Sequence, residues 1–237
     1  MPPNFVLDRR DCVTRTLYAI AALVSLAGCA KFPTTVDPDS TRVIFKMTVK
    51  GEINPSYVYV IPIRASIDPN PVGDGPIPVL QFPNANGFVQ GNVNFFVLWT
   101  PDTQQYTIYK FRDSSLIFFD PIGTPINITE VTAGSRALGF EISMEQLFPG
   151  TSSQYQALQV NFLTMNRKLD QAGAFRNLDC LGNTNLQTEF NEPVKIPLAT
   201  TGIYDNVRFN FIEPLSVDCP DPDLDIDDWS IEVRRPQ

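Results

Sequence analysis

Hydrophobic and polar positions alternate with period two along most of the chain after residue 41. In residues 42–50 (RVIFKMTVK), Val43, Phe45, Met47 and Val49 fall on one side, and Ile44, Lys46, Thr48 and Lys50 on the other. Successive side chains of an extended chain point to opposite faces, so this segment predicts a half-buried strand. Residues 57–64 (YVYVIPIR) predict a second strand after an Asn54-Pro55-Ser56 turn. Pro62 has no N–H to give a ladder, which places that strand at an edge or a bulge. Residues 92–99 and 106–112 flank Thr100-Pro101-Asp102-Thr103, a set of hairpin-turn residue types. Further strands are expected at 116–119, 126–131, 137–142, 157–165 and 229–234, with a fainter pattern at 194–198 and 207–212. Ser143-Met144-Glu145-Gln146 has capping-box spacing, and Pro149-Gly150 ends the helix after one or two turns. So many strands with so little helix predict an all-β fold, a two-sheet antiparallel β-sandwich with at most one short helix. No fixed-period repeat is visible, which argues against a propeller or solenoid. With no second core in sight, residues 42–237 read as one domain.

The first 41 residues follow a different pattern. Arg9, Arg10 and Arg15 precede an apolar run of eleven residues, 17–27 (LYAIAALVSLA). A membrane span needs about 20 such residues, so the run reads as the core of an export signal. It ends in Leu26-Ala27-Gly28-Cys29, which resembles the bacterial lipobox. That resemblance implies a signal peptide over 1–28, cut in front of a Cys29 that carries a diacylglycerol thioether. Residues 29–41 would then be a lipidated N-terminus and tether. Burial of acyl chains is worth about 0.8 kcal/mol per CH₂, so two or three chains on Cys29 give stable membrane residence. The resemblance makes the domain extracytoplasmic. Ala30, rather than Asp, follows the cysteine, which points to the outer membrane if the host has one. At about 3.3 Å per residue, the tether over 31–41 holds the domain within roughly 35 Å of the bilayer.

Composition narrows the chemistry. With 43% hydrophobic and 19% charged residues the chain is globular, and 21 prolines against 13 glycines suit a loop-rich β protein. There is no histidine. Ser-His-Asp and Cys-His nucleophilic chemistry, histidine metal sites and histidine pH switches are therefore excluded. The net charge of -8 and a pI near 4.5 argue against a nucleic-acid partner. Loss of the signal removes three arginines and two aspartates and leaves -9. An anionic bilayer repels such a domain, so the lipid is what would hold it there. Cys12 leaves with the signal and Cys29 is acylated, so Cys180 and Cys219 remain. In an oxidising compartment they read as a disulfide closing a loop of about 40 residues, worth about 4 kcal/mol, or else as two unpaired thiols.

The run Tyr57-Val58-Tyr59-Val60-Ile61, then Asp68-Pro69-Asn70-Pro71 and Gly73-Asp74-Gly75-Pro76, resembles secreted β-sandwich modules. These are the family-9 carbohydrate-binding modules and the related DOMON-type sandwiches. The resemblance covers about 40 residues and implies a ligand-binding sandwich. The haem-binding branch uses a histidine that this chain lacks.

Two acidic stretches invite calcium. Asp221, Asp223, Asp225 and Asp227 alternate in VDCPDPDLDIDDW and would share one face of an extended chain. They read as a calcium loop, without its turn glycine and distal Glu, or as a solvated acidic edge that blocks sheet association. Asp68, Asn70 and Asp74, in a loop with two glycines, read as a second cation loop or as a plain turn. Trp99, Tyr106 and Tyr109, with the amides of Asn92 and Asn94, form a candidate sugar platform, since sugar rings stack on aromatic planes and amides take their hydroxyls. The same aromatics also suit a core. No paired-carboxylate, Ser-x-x-Lys or phosphate-cradling motif appears, so no catalytic residue is assigned. The expected function is a non-catalytic, lipid-anchored module that binds carbohydrate. The alternative is a structural or assembly lipoprotein whose partner is an envelope protein.

Overall fold

The computed structural model describes residues 40–80, 86–100, 103, 105–171, 176–184, 193–209, 213 and 217–236. Cys29, the lipobox and residues 30–39 of the tether lie outside the described residues, as do Pro101 and Asp102 of the turn expected at 100–103. Among the described residues no helix is long and apolar enough to cross a membrane.

Two antiparallel sheets face each other. The first runs β14 (Gly202–Asp205), β15 (Ile226–Arg234), β1 (Arg42–Val49), β9 (Ala137–Ser143) and β8 (Asn127–Ile128). The second runs β12 (Leu178–Cys180), β11 (Leu163–Met165), β2 (Val58–Ser66), β5 (Phe95–Thr100), β6 (Gln105–Phe111) and β7 (Phe119–Gly123). Next to β11, β10 (Ala157–Val160) also pairs with β2, and it carries β13 (Val194–Pro197) on its far side. A separate ribbon joins β3 (Pro76–Pro78) to β4 (Val89–Gly91). This is the expected sandwich, not closed into a barrel, with one short helix. That helix, α1 (Met144–Leu147), is capped by Ser143, whose side chain accepts from the Glu145 N–H. The reciprocal half of the capping box is not made, because Gln146 Nε2 donates to the Thr124 carbonyl instead.

The main core fills the space between the sheets. Val43, Phe45 and Met47 of β1, Phe140 of β9 and Trp229 of β15 meet Tyr59, Ile61 and Ile63 of β2 and Phe95 and Val97 of β5. The alternation in β1 is thus realised as one buried face. A second apolar cluster lies on the other side of the larger sheet, where Val60, Phe96, Leu163, Met165 and Cys180 pack with Val89, Val93 and Leu116. β2 and β5 are therefore buried on both faces, which is why they read as nearly continuous apolar runs.

Several expected boundaries move. The strand at 157–165 is two strands, broken at Asn161-Phe162. The break lies opposite Pro62, whose missing N–H leaves nothing for a continuous partner to accept. Pro62 thus sits inside the sheet, facing an interruption in its neighbour. Residues 116–119 do not form the expected strand. Asp113 accepts from the Ser115 N–H and Leu116 takes a left-handed φ of 58°, so β7 begins only at Phe119. The expected strand at 207–212 is a turn over residues 206–209, and 210–212 lie outside the described residues.

Candidate functional site

The expected sugar platform is dismantled by the pleat. Trp99 and Tyr106 are opposite each other across β5 and β6 and point into the main core, 3% and 2% exposed. The Tyr106 hydroxyl accepts from the Gly139 N–H of the facing sheet, a structural bond. Tyr109 points the other way but is half-buried, stacked on Phe96 with ring centroids 4.9 Å apart. None of the three offers an open ring face of the kind expected. Their positions alternate on strands whose two faces are both covered.

Asn92 and Asn94 are exposed, as a binding role requires. They help line a cleft of about 670 Å³ between the start of β5, the end of β6 and the segment after α1. Asn92 Nδ2 donates to the Asp74 carbonyl and Asn94 Oδ1 accepts from the Ala65 N–H, so both amides are held in place. The aromatic part of the lining includes Phe95, Phe148 and Tyr155 and none of the three expected platform rings. Phe148 and Tyr155, both half-buried, stack with centroids 3.5 Å apart, and Phe95 meets Phe148 edge-on. Arg64, Lys110 and Arg112 line the same cleft against one acid, Asp113. Arg64 is anchored to Gln159 Oε1 at 2.6 Å, and Lys110 stands 5.8 Å from the Phe95 ring centroid. Arg112 is taken up by Asp120 in a two-bond ion pair, so Arg64 and Lys110 are the cations that face Asp113, a small positive excess in a chain of net charge -8.

The acidic run is not extended. Residues 221–224 turn, with the Asp221 carbonyl accepting from the N–H groups of Leu224 and Asp225. The alternating carboxylates therefore go different ways. Asp221 accepts from the Tyr57 hydroxyl at 2.7 Å. Asp223 accepts from the Glu52 N–H and from Asn54 Nδ2. Asp227 meets Arg136 at 3.3 Å on the surface. The turn lies so close to residues 50–52 that a Cβ on Gly51 would come within 2.3 Å of an Asp223 carboxylate oxygen. Asp68, Asn70 and Asp74 are exposed, and Asp68 accepts from the Asn70 N–H in a turn.

Only Asp225 of the expected metal residues joins a convergent group. It meets Asp179, Glu213 and Asp218, all four buried, with one carboxylate oxygen from each within 4.8 Å of the others. Asp179, at the centre of β12, accepts from the N–H groups of Cys180 and Ile226 and from the Thr184 hydroxyl. Asp218 accepts from the Thr184 N–H at 2.7 Å. Lys50 Nζ donates to Asp225 Oδ1 at 3.0 Å. The Asn206 side chain clamps the Glu213 backbone through both its N–H and its C=O. Burial pushes the Glu213 carboxyl up to about 11, with the three aspartates adding to it. Burial and Asp218 push Asp179 up to about 7.

No disulfide joins Cys180 and Cys219. Neighbours on a strand face opposite ways, so Asp179 turns toward the acidic group while Cys180 enters the apolar cluster behind the sheet. Cys219 lies on the acidic side, its thiol pushed up to about 12 chiefly by burial.

Asp179 was missed because it lies about 40 residues before the aspartate run, and Glu213 because it stands just ahead of the run, outside its alternating pattern. Their one local signal is an acid set among apolar neighbours, as in Leu178-Asp179-Cys180 and Phe211-Ile212-Glu213-Pro214-Leu215. Comparison with protein-family models, curated proteins and solved structures finds no match to the chain.

Proposed function

We propose that this protein is a non-catalytic binding module whose cleft takes an acidic carbohydrate, held outside the cytoplasm by acyl chains on Cys29. The cleft carries this reading. It combines a stacked aromatic pair, Phe148 and Tyr155, with the fixed amides of Asn92 and Asn94 and the cations Arg64 and Lys110. Aromatic rings match the apolar C–H faces of sugars, amides match hydroxyls, and the cations match a uronate or similar acid. The lipobox resemblance at Leu26-Cys29 and the resemblance to family-9 carbohydrate-binding modules support the same reading. The membrane is then a partner through lipid alone, at the outer membrane if the host has one.

Calorimetric titration of the full-length chain with neutral and uronic-acid oligosaccharides tests the proposal. Saturable binding of an acidic oligosaccharide is expected, weakened at least tenfold by Tyr155→Ala and by Lys110→Ala. No binding at millimolar sugar, or binding indifferent to both variants, would refute it. A second reading, contact with an envelope protein, is favoured by Ile117 and Phe118, which are 53% and 60% exposed. They follow Leu116, which lines the cleft.

A further inference from the structure

We infer that Asp179, Glu213, Asp218 and Asp225 form a buried calcium site that ties the segment between β14 and β15 to the edge of the larger sheet. The acidic run suggested calcium for other residues; the site inferred here shares only Asp225 with them. Convergent acids alone would not carry the inference. Glu213 does. Its side chain is wholly buried, 0% exposed, and aimed at the other three carboxylates, and neither of its carboxylate oxygens has a hydrogen-bond donor among the described residues. Asp218 Oδ1 and Asp225 Oδ2 are likewise buried without a donor. Three of the four convergent carboxylates thus carry a buried oxygen without a donor among the described residues, while both oxygens of Asp179 and the other oxygens of Asp218 and Asp225 are satisfied. Buried polar atoms in a native fold are paired, so a shared partner is called for.

Charge and distance identify that partner. Four carboxylates against one nearby ammonium, that of Lys50, leave an excess of three negative charges when all are ionised. A divalent cation removes two of them. The donors are all oxygen, which suits calcium, magnesium or manganese rather than zinc or copper. Calcium–oxygen distances are about 2.3–2.6 Å, so opposite ligands lie about 4.6–5.2 Å apart. Around magnesium, opposite ligands lie only about 4.2 Å apart. Oxygens that all lie within 4.8 Å of one another fit within a calcium sphere. The backbone of Glu213 is held by the Asn206 clamp, and the Ile226 N–H fixes the Asp179 carboxylate itself.

The test uses the full-length chain, stripped with chelator and titrated with Ca²⁺ or Mg²⁺ by calorimetry, with bound metal counted by elemental analysis. One Ca²⁺ per chain is expected, with Mg²⁺ at least tenfold weaker. At a hundredfold excess over Kd the melting temperature should rise by about 5–10 °C. Glu213→Gln and Asp218→Asn should each abolish binding, and Asp221→Asn and Asp227→Asn should leave it unchanged. The metal count on the unaltered chain decides the matter even if Glu213→Gln does not fold. Absence of stoichiometric Ca²⁺ at millimolar concentration, preference for Mg²⁺, or loss of binding in Asp221→Asn overturns the inference.

Discussion

Stripped of metal, this protein should lose stability as pH rises through neutrality, opposite to the usual behaviour of an acidic protein. The perturbation is chelation followed by a pH series from 5 to 8. The groups that matter are Asp179, raised from 3.8 to about 7, and Glu213, raised from 4.5 to about 11. Facing them are Asp218, Asp225, the Lys50 ammonium and the Cys219 thiol. A carboxyl with a raised folded-state pKa keeps its proton after the unfolded chain has released it. Stability is then lost between the unfolded and folded pKa values, by about 1.4 kcal/mol per pH unit and group. From pH 5 to 8, Asp179 contributes about two such units and Glu213 about three, or about 7 kcal/mol in all. Water entering the site lowers that figure, and a loss of about 3 kcal/mol or more is expected. For a chain of this size it corresponds to a fall in melting temperature of about 10 °C. Thermal unfolding by circular dichroism in chelator measures it, and excess Ca²⁺ should flatten the profile because the cation takes the place of the protons. A chelated protein whose stability is flat or rises from pH 5 to 8 would refute the reasoning.

Two further outcomes follow from residues whose expected roles the fold reassigns. Trp99→Ala removes a core side chain and should cost about 3–5 kcal/mol in urea unfolding, while leaving the affinity for an acidic oligosaccharide within twofold. With Cys180 and Cys219 unbridged, dithiothreitol should not move the melting temperature. A bridge closing a loop of about 40 residues would make that shift correspond to about 4 kcal/mol.

The fold was legible where a strand buries one face. In β1 and β9 a row of large apolar residues alternates with polar ones, and period two needs no other information. It was blurred in β5, whose second face is covered by a cluster assembled from distant segments. The short strands β3, β4, β12 and β14 carry too few residues to show a period, and their pairing comes from tertiary neighbours. The same limit governs the sites. Asp221, Asp223, Asp225 and Asp227 read as one face only if the chain is straight, and the turn at 221–224 sends them to four different partners. Of the buried acids, Glu213, Asp218 and Asp225 lie in or beside the acidic run, while Asp179 comes from a distant strand, and spacing cannot report that it joins them. In the cleft, the exposed amides Asn92 and Asn94 were found, while Phe148 and Tyr155 looked like the tail of a helix and a loop.

The position of β1 bears on when the chain can fold. It lies between β9 and β15, with Arg42 opposite Arg234, partners separated by about 190 residues. The first sheet therefore lacks its longest strand pairing until β15 has been synthesised. Until then Val43, Phe45 and Met47 have only half of the shelter they finally receive. Pairing at such separation is slow, because the loop must close before its contacts repay it. Under the export reading of the N-terminus this delay is useful. A polypeptide that cannot complete its sandwich before β15 is made would then stay threadable through a narrow translocation pore and would assemble on the far side.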